Sequence, residues 1–288
     1  MSYDNNIMEP QKDKSAAELA EVSRELRLSA LEMLYKAGSG HPGSTFSTMD
    51  ILTALYFGGI LKYDSARPDW NERDYFLMSN GHAAPALYAI LAKAGYFAET
   101  ELGKLRQLGA GAQGHPHRGS LPGIEISSGS LGQGLSVGIG LAQAARLKNT
   151  GQKVYVMMSD GEQEEGSTWE AIMLAPKLKL NNLIAIIDKN GMQIDGATNK
   201  VMPSLDPLAE KYRAFGWRVL EINGHDFDEI LSALKEVEDV KDDRRSVAII
   251  ANTVRGKGVS FMENNPSWHA GKITEKQYEQ AKNELMDK

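Results

Sequence analysis

Two oxygen-bearing side chains stand where two apolar runs stop. Val154–Met158 ends in Ser159-Asp160-Gly161, and Leu183–Ile187 ends in Asp188-Lys189-Asn190-Gly191. Short β-branched and aliphatic runs bounded by turn residues predict buried parallel strands, and the stretch between them predicts a helix. Asp160 and Asn190 then fall at the carboxyl ends of two strands joined by one crossover, the edge at which open α/β sheets bind ligands. A carboxylate and an amide oxygen there suit a hard cation such as Mg²⁺ (Ca²⁺ and Mn²⁺ being the alternatives). Such an ion takes few protein oxygens and completes its shell with water and phosphate oxygens. Gly161 lets the backbone approach a bulky anion, and the amides of a helix start would face it. Each residue also has a purely local reading, Asp160 as a helix cap and Asn190 as the opening of an Asn-Gly turn.

Four of the six histidines, His41, His82, His115 and His117, sit beside Gly or Pro in loops; His225 follows Asn223-Gly224, and His269 lies near the C-terminus. A lone loop histidine is most often a surface residue. Several on one sheet edge suit acid–base work, because imidazole exchanges protons near neutral pH.

Together these residues resemble the transketolase family. Gly-Asp-Gly followed about thirty residues later by Asn is the thiamin diphosphate motif; Asp160 and Asn190 are thirty residues apart, with Ser159 where the family usually has Gly. Ser39-Gly40-His41-Pro42-Gly43-Ser44, Ser79-Asn80-Gly81-His82-Ala83, Gly114-His115-Pro116 and Gly129-Ser130-Leu131-Gly132-Gln133-Gly134 each look like a family block, in the family's order. So does Arg255-Gly256-Lys257-Gly258 followed by His269, although Trp268 and Ala270 beside that histidine depart from the pattern. The resemblance runs from about residue 15 to 271.

The resemblance implies thiamin diphosphate as cofactor, with the metal held by Asp160, the Asn190 side chain and the Met192 carbonyl. Ser159 and Gly161 would lie near the diphosphate, which His82 would contact. His41 and His269 would move protons at the substrate hydroxyls, His269 also near the diphosphate. His115 would hydrogen-bond the hydroxyl of the transferred two-carbon unit. Backbone groups of Gly129 and Leu131 would face the aminopyrimidine ring. Glu165 matches the glutamate that links across the subunit interface to the one activating the cofactor; read by itself it is a first-turn helix carboxylate favoured by the dipole. His117 and His225 match no block.

The reaction implied is transfer of a two-carbon ketol unit from a ketose to an aldose, free or phosphorylated, as in pentose phosphate metabolism. The cofactor carries the hard step while the protein orients and shuttles protons. Single-chain transketolases have two further domains, and the middle one supplies the activating glutamate and most contacts to the substrate phosphate. The chain is therefore expected to be the N-terminal subunit of a split transketolase. A separate C-terminal, pyrimidine-binding subunit would complete it, as an α2β2 heterotetramer, and it would be inactive alone. Two other readings are the α subunit of a 2-oxoacid dehydrogenase and a cofactor-binding or regulatory half without turnover. The four histidine blocks argue against the first, and the retention of every expected histidine and metal ligand against the second. Other motifs fail: Gly132, Gly134 and Gly138 have the wrong spacing for a dinucleotide fingerprint, and Arg255-Gly256-Lys257-Gly258 lacks the rest of a phosphate loop.

Positioning these residues calls for an α/β fold, a doubly wound, mostly parallel sheet with helices on both faces. The predicted strands are Tyr75–Met78, Val154–Met158, Leu183–Ile187, Arg218–Ile222 and Val247–Thr253. Apolar periodicity predicts a helix over 15–37. Further helices are predicted at Ser47–Gly58, from after Ala83 to about Ala94, a short polar one at 98–107, Gly134–Lys148, Asp206–Phe215 and Phe227–Val240. The small residues of Gly134–Lys148 suit close backbone approach. Gly109–Gly129 is too long for an ordinary connection and marks a functional loop. Residues 1–14 read as a disordered tail, 15–271 as the cofactor-binding domain and 272–288 as a polar, solvated helix.

The 288 residues carry a net charge of −6, which argues against nucleic acid and gives no basic face for a membrane. With no cysteine, disulfides, zinc thiolates and a thiol nucleophile are excluded. The N-terminus lacks the apolar run of a signal peptide, and no stretch suits a membrane span, so a cytoplasmic protein is expected.

Overall fold

Side chains alternate across a strand, so a strand buried on both faces must be apolar at every position. Val154–Met158 and Leu183–Ile187 meet that condition, buried throughout. A computed structural model describes residues 14–238 and 243–287. The expected tail at 1–14 falls almost wholly outside these residues, as does the expected end of the helix at 239–240. The chain runs α1 (Ala16–Ala37), α2 (Pro42–Ser47), α3 (Met49–Phe57), β1 (Tyr75–Met78), α4 (Ala84–Lys93), α5 (Gly134–Lys148), β2 (Val154–Ser159), α6 (Gly166–Leu178) and β3 (Leu183–Lys189). A two-residue hairpin, β4 (Met192–Gln193) and β5 (Gly196–Ala197), follows, then α7 (Thr198–Val201), α8 (Leu208–Ala214), β6 (Arg218–Asn223), α9 (Phe227–Glu238), β7 (Val247–Asn252) and α10 (Glu275–Met286).

The main sheet has five parallel strands in the order β1-β2-β3-β7-β6. Alternate strand residues feed two cores. Phe76, Tyr155, Ile184 and Ile249 pack toward α1, α3, α4 and α9, while Leu77, Val156, Ala185 and Ile250 pack toward α5, α6 and α8. Each fully buried Leu or Ile contributes about 1.5–3 kcal/mol. The doubly wound α/β expectation therefore holds. After β1 the chain goes to one face (α4) and after β2 to the other (α6), which opens a crevice between their carboxyl ends. The small-residue face of α5 has its reason: a Cβ on Gly138 would stand 2.6 Å from Val156 Cγ2 on β2.

Four local expectations change. The loop before Ser47 is helical, because Pro42 opens α2 with its fixed φ. Helix Ser47–Gly58 is interrupted at Thr48, where the hydroxyls of Thr45, Ser47 and Thr48 bond back to His41 and Ser44 carbonyls and bend the path. The polar helix at 98–107 shrinks to 3₁₀ turns over Glu99–Lys104, ended by Arg106 at φ 61°. The C-terminal helix is capped by a reciprocal Thr274–Gln277 pair and is docked along one face rather than solvated. Ala281 and Leu285 join the core beneath α1, and Tyr278 stacks on Tyr35 at 4.4 Å.

Candidate active site

At the end of β2, Asp160 is 1% exposed. One carboxylate oxygen accepts the Gly161 N–H at 2.9 Å; the other accepts the Gly191 N–H at 2.8 Å and the Thr198 hydroxyl at 3.1 Å. At the end of β3, Asn190 points its nitrogen at Asp188 (3.1 Å) and Ser47 (3.4 Å), so its oxygen faces the Met192 amide at 3.1 Å. The local readings are thus also true. Asp160 caps a 3₁₀ turn, Gly161–Glu164, rather than the long helix, and Gly191 takes φ 72° in the Asn-Gly turn. Burial, with Asp188 beside it, pushes Asp160 up to about 7. A divalent cation would draw it back down. Among the described residues no three His, Cys, Asp or Glu side chains gather around a metal. The Asp160 carboxylate and the Asn190 amide oxygen form an all-oxygen pair that fits a hard cation such as Mg²⁺ rather than zinc.

Ser159 does not offer its amide outward; it points to the Glu162 carboxylate at 3.4 Å. Among the described residues a Cβ on Gly161 would meet only Gln193, at an ordinary 3.5 Å, so none of them demands glycine there.

Four histidines from four loops meet beside this edge. The His41 ring centroid lies 5.6 Å from that of His82, 5.9 Å from His115 and 5.4 Å from His269, and His82 lies 5.6 Å from His269. His41 is the cap residue of α2, and His82 sits in a 3₁₀ turn after β1 with Nε2 3.0 Å from Ser44 Oγ. The buried Arg255 guanidinium hydrogen-bonds His269 Nδ1. It passes Gly43 so closely that a Cβ there would lie 2.7 Å from its Nε. Burial holds His41 and His269 down to about 4, helped at His41 by neighbouring imidazoles and guanidinium groups and at His269 by Arg255, and it holds His82 well below the ordinary value. Burial and Arg106 lower the more exposed His115 as well. Each shift favours the neutral ring, the form that can accept a proton. His117 and His225 lie outside the group: His117 meets Ser127 at 3.2 Å, and His225 bonds Asp50 at 2.7 Å.

The third wall joins residues 79–82 to residues 128–134. A Cβ on Gly81 would stand 2.5 Å from Ser128 Oγ, and Gly129, at φ 141°, lies against the His115 ring. Leu131 is half-buried in the same turn. The Gly134 amide donates to Ser79 Oγ at 3.0 Å. Glu162, fully buried, accepts from the Ser79 hydroxyl and from Gly132 N at 2.8 Å, tying this wall to the end of β2. Glu165 is exposed at the cap of α6.

Sequence reasoning missed Glu162, Asn80, Asp188 and Arg106. Glu162 lies in the acidic run Glu162-Gln163-Glu164-Glu165, where nothing in the pattern separates the one buried carboxylate from its neighbours. Both polar atoms of the Asn80 side chain, Ser128 Oγ and His41 Nδ1 are buried without a partner among the described residues. Buried polar atoms ordinarily have partners, so these four atoms offer hydrogen bonds that a polar ligand could take up. Beside His115 a cleft of about 1090 Å³ opens, lined by Ser39, Arg106, Gln113, His117 and Arg118.

Residues 18–287 match the family described as transketolase, thiamine diphosphate binding domain. The chain is 41% identical over 266 residues to an apulose-4-phosphate transketolase subunit of Phocaeicola vulgatus, covering 92% of this chain and 93% of that one. It is 42% identical over 260 residues to a 6-deoxy-6-sulfo-D-fructose transketolase subunit of Clostridium sp., covering 90% and 93%. The transketolase of Leishmania mexicana superposes with a TM-score of 0.88 at 33% identity over 93% of this chain, which spans only 41% of that longer protein. The doubly wound sheet, the strand-end Asp160 and Asn190 and the histidine-lined crevice thus belong to a chain of the transketolase family, matching its thiamine diphosphate binding domain.

Proposed function

We propose that this chain is the diphosphate-binding subunit of a two-subunit transketolase, moving a two-carbon ketol unit from a ketose phosphate to an aldose phosphate. The observation that carries the reading is the convergence of four imidazoles beside the strand edge that holds Asp160 and Asn190. Asp160, the Asn190 amide oxygen and the Met192 carbonyl would hold Mg²⁺, whose charge would offset that of the cofactor's diphosphate. Thiamin diphosphate, when bound, supplies the nucleophilic carbon and takes up the electrons of the broken carbon–carbon bond. His82 would meet the diphosphate beside Gly161. His41 and His269 take and return protons at substrate hydroxyls, for which their neutral state is the competent one. His115, at the cleft wall, would orient the hydroxyl of the two-carbon unit. Gly129 and Leu131 would face the aminopyrimidine. The exposed carboxylate of Glu165 suits a contact with a second chain. Residues 15–271 would form the cofactor-binding unit, with α10 bracing its first helix.

A separate pyrimidine-binding subunit, in an α2β2 assembly, would complete the site. Relatives named as transketolase subunits are matched over nearly their whole length, whereas a longer transketolase is matched over less than half of its own. The test is ketol transfer by this chain alone and together with a C-terminal, pyrimidine-binding transketolase subunit, with Mg²⁺ and thiamin diphosphate present in both. Turnover only in the mixture is expected. Comparable turnover by the chain alone would refute the split arrangement, and oxidative decarboxylation without ketol transfer would refute the reaction.

A further inference from the structure

His225 matches none of the sequence blocks, yet both of its ring nitrogens have defined partners. It leaves β6 on a turn whose Gly224 amide donates to the Asn252 carbonyl at 2.8 Å. A Cβ on Gly224 would sit 2.4 Å from the Thr253 side chain, so this turn is pressed against the residues that follow β7. Nδ1 of His225 lies 2.7 Å from Asp50 Oδ2, and the Val254 amide donates to Nε2 at 2.8 Å. A ring nitrogen that accepts an amide proton carries none itself. The imidazole is therefore neutral, with its hydrogen on Nδ1 and donated to Asp50.

Asp50 is itself fixed. Arg27 grips both its oxygens at 2.8 Å, and Ser23 donates to Oδ1 at 2.5 Å. The same guanidinium donates to the Phe46 carbonyl of α2 at 3.1 Å. One buried carboxylate thus braces two walls of the crevice. The first is α2, which begins at His41 and carries Ser44. The second is the segment Val254–Arg255, whose guanidinium reaches His269. Direct ties between the walls, Gly256 N to Gly43 O and Gly271 N to Gly40 O, both at 3.0 Å, make their relative depth matter.

We propose that His225 is a positioning residue: its unprotonated Nε2 holds the Val254–Arg255 segment at the depth from which Arg255 orients the His269 ring. The catalytic consequence rests on the function proposed above; the mechanical one does not. Two variants separate them, each studied in the complex with the C-terminal subunit. His225→Asn keeps a polar group toward Asp50 but is too short to accept the Val254 amide. His225→Gln carries an oxygen out to the position of Nε2. In His225→Asn, hydrogen exchange should rise about tenfold at residues 253–258 with β7 itself unchanged. The kcat should fall by about 10–100-fold, as when an orienting partner is lost, with donor KM within twofold. His225→Gln should restore protection and most of kcat. Wild-type protection and kcat in His225→Asn would overturn the assignment. So would a His225→Gln protein as impaired as His225→Asn, or exchange that rises throughout the sheet. A wild-type complex without ketol transfer would refute the proposed reaction instead, and the exchange data would still decide what holds the turn.

Discussion

The two halves of the crevice are built in opposite ways. The side proposed to hold the metal, Asp160 to Thr198, comes from one continuous stretch, and the Asp160 oxygens are already engaged by the chain's own amides and hydroxyls. The histidine side gathers residues 41, 82, 115 and 269 from four distant loops and leaves buried polar atoms of His41, Asn80 and Ser128 without partners among the described residues. The first half is preorganised by local geometry. The second depends on tertiary packing and is completed by what binds there.

The largest effect should come from the local half. Asp160→Ala removes the one carboxylate of the proposed metal set and the acceptor for Gly191 and Thr198, so Mg²⁺-dependent thiamin diphosphate binding should be abolished in calorimetric titrations of the complex. Unchanged affinity would break the comparison by moving the metal elsewhere. Next, His41→Ala and His115→Ala should each lower kcat by about 10²–10⁴-fold, the usual range for a general acid–base or orienting group, while leaving cofactor affinity nearly intact. A loss under threefold in both would make these loops structural.

A smaller effect should be read in stability against pH. His41 and His269 have folded values near 4, below the ordinary 6.5. Between those values the unfolded chain binds more protons, so the cluster should cost stability as pH falls from about 6.5 to about 4 and have no effect above that window. Thermal melts of wild type and the His41→Ala, His269→Ala double variant should converge near pH 7.5 and separate at pH 5, the variant losing less. Parallel curves would mean that the rings are not held neutral by burial. The smallest effect lies outside both halves: Tyr278→Ala removes the stack on Tyr35 and should cost about 1–2 kcal/mol with kcat unchanged. A fall in kcat would show that α10 reaches the site.

The local half was the more legible. Two apolar runs ending in Ser159-Asp160-Gly161 and Lys189-Asn190-Gly191 announce parallel strands and place Asp160 and Asn190 on one edge without any knowledge of strand order. The histidine side was legible only through its resemblance to a family, because no spacing rule joins His41 to His269. The bend at Thr48 was hidden because its cause is side-chain hydroxyls turned back on the backbone, which hydrophobic periodicity does not register. Glu162 and Asp50 stayed hidden for a shared reason. A carboxylate that ties walls together is buried by long-range partners, Ser79 and Gly132 in one case, Arg27 and His225 in the other. In sequence it looks like any solvated charge.

The ends of the sheet bear on how a second chain can attach. Within the described residues β1 and β6 are the outermost strands. On β6, Arg218 is paired with Glu236 and Glu221 with Arg213, so its free backbone edge is fringed with charge. Only four residues long, β1 is approached by the bidentate Arg73–Glu125 ion pair. Short or charged borders discourage an incoming strand. A partner is therefore not expected to bind by β-augmentation, and the same borders guard the chain against fibre-like stacking while it waits for one.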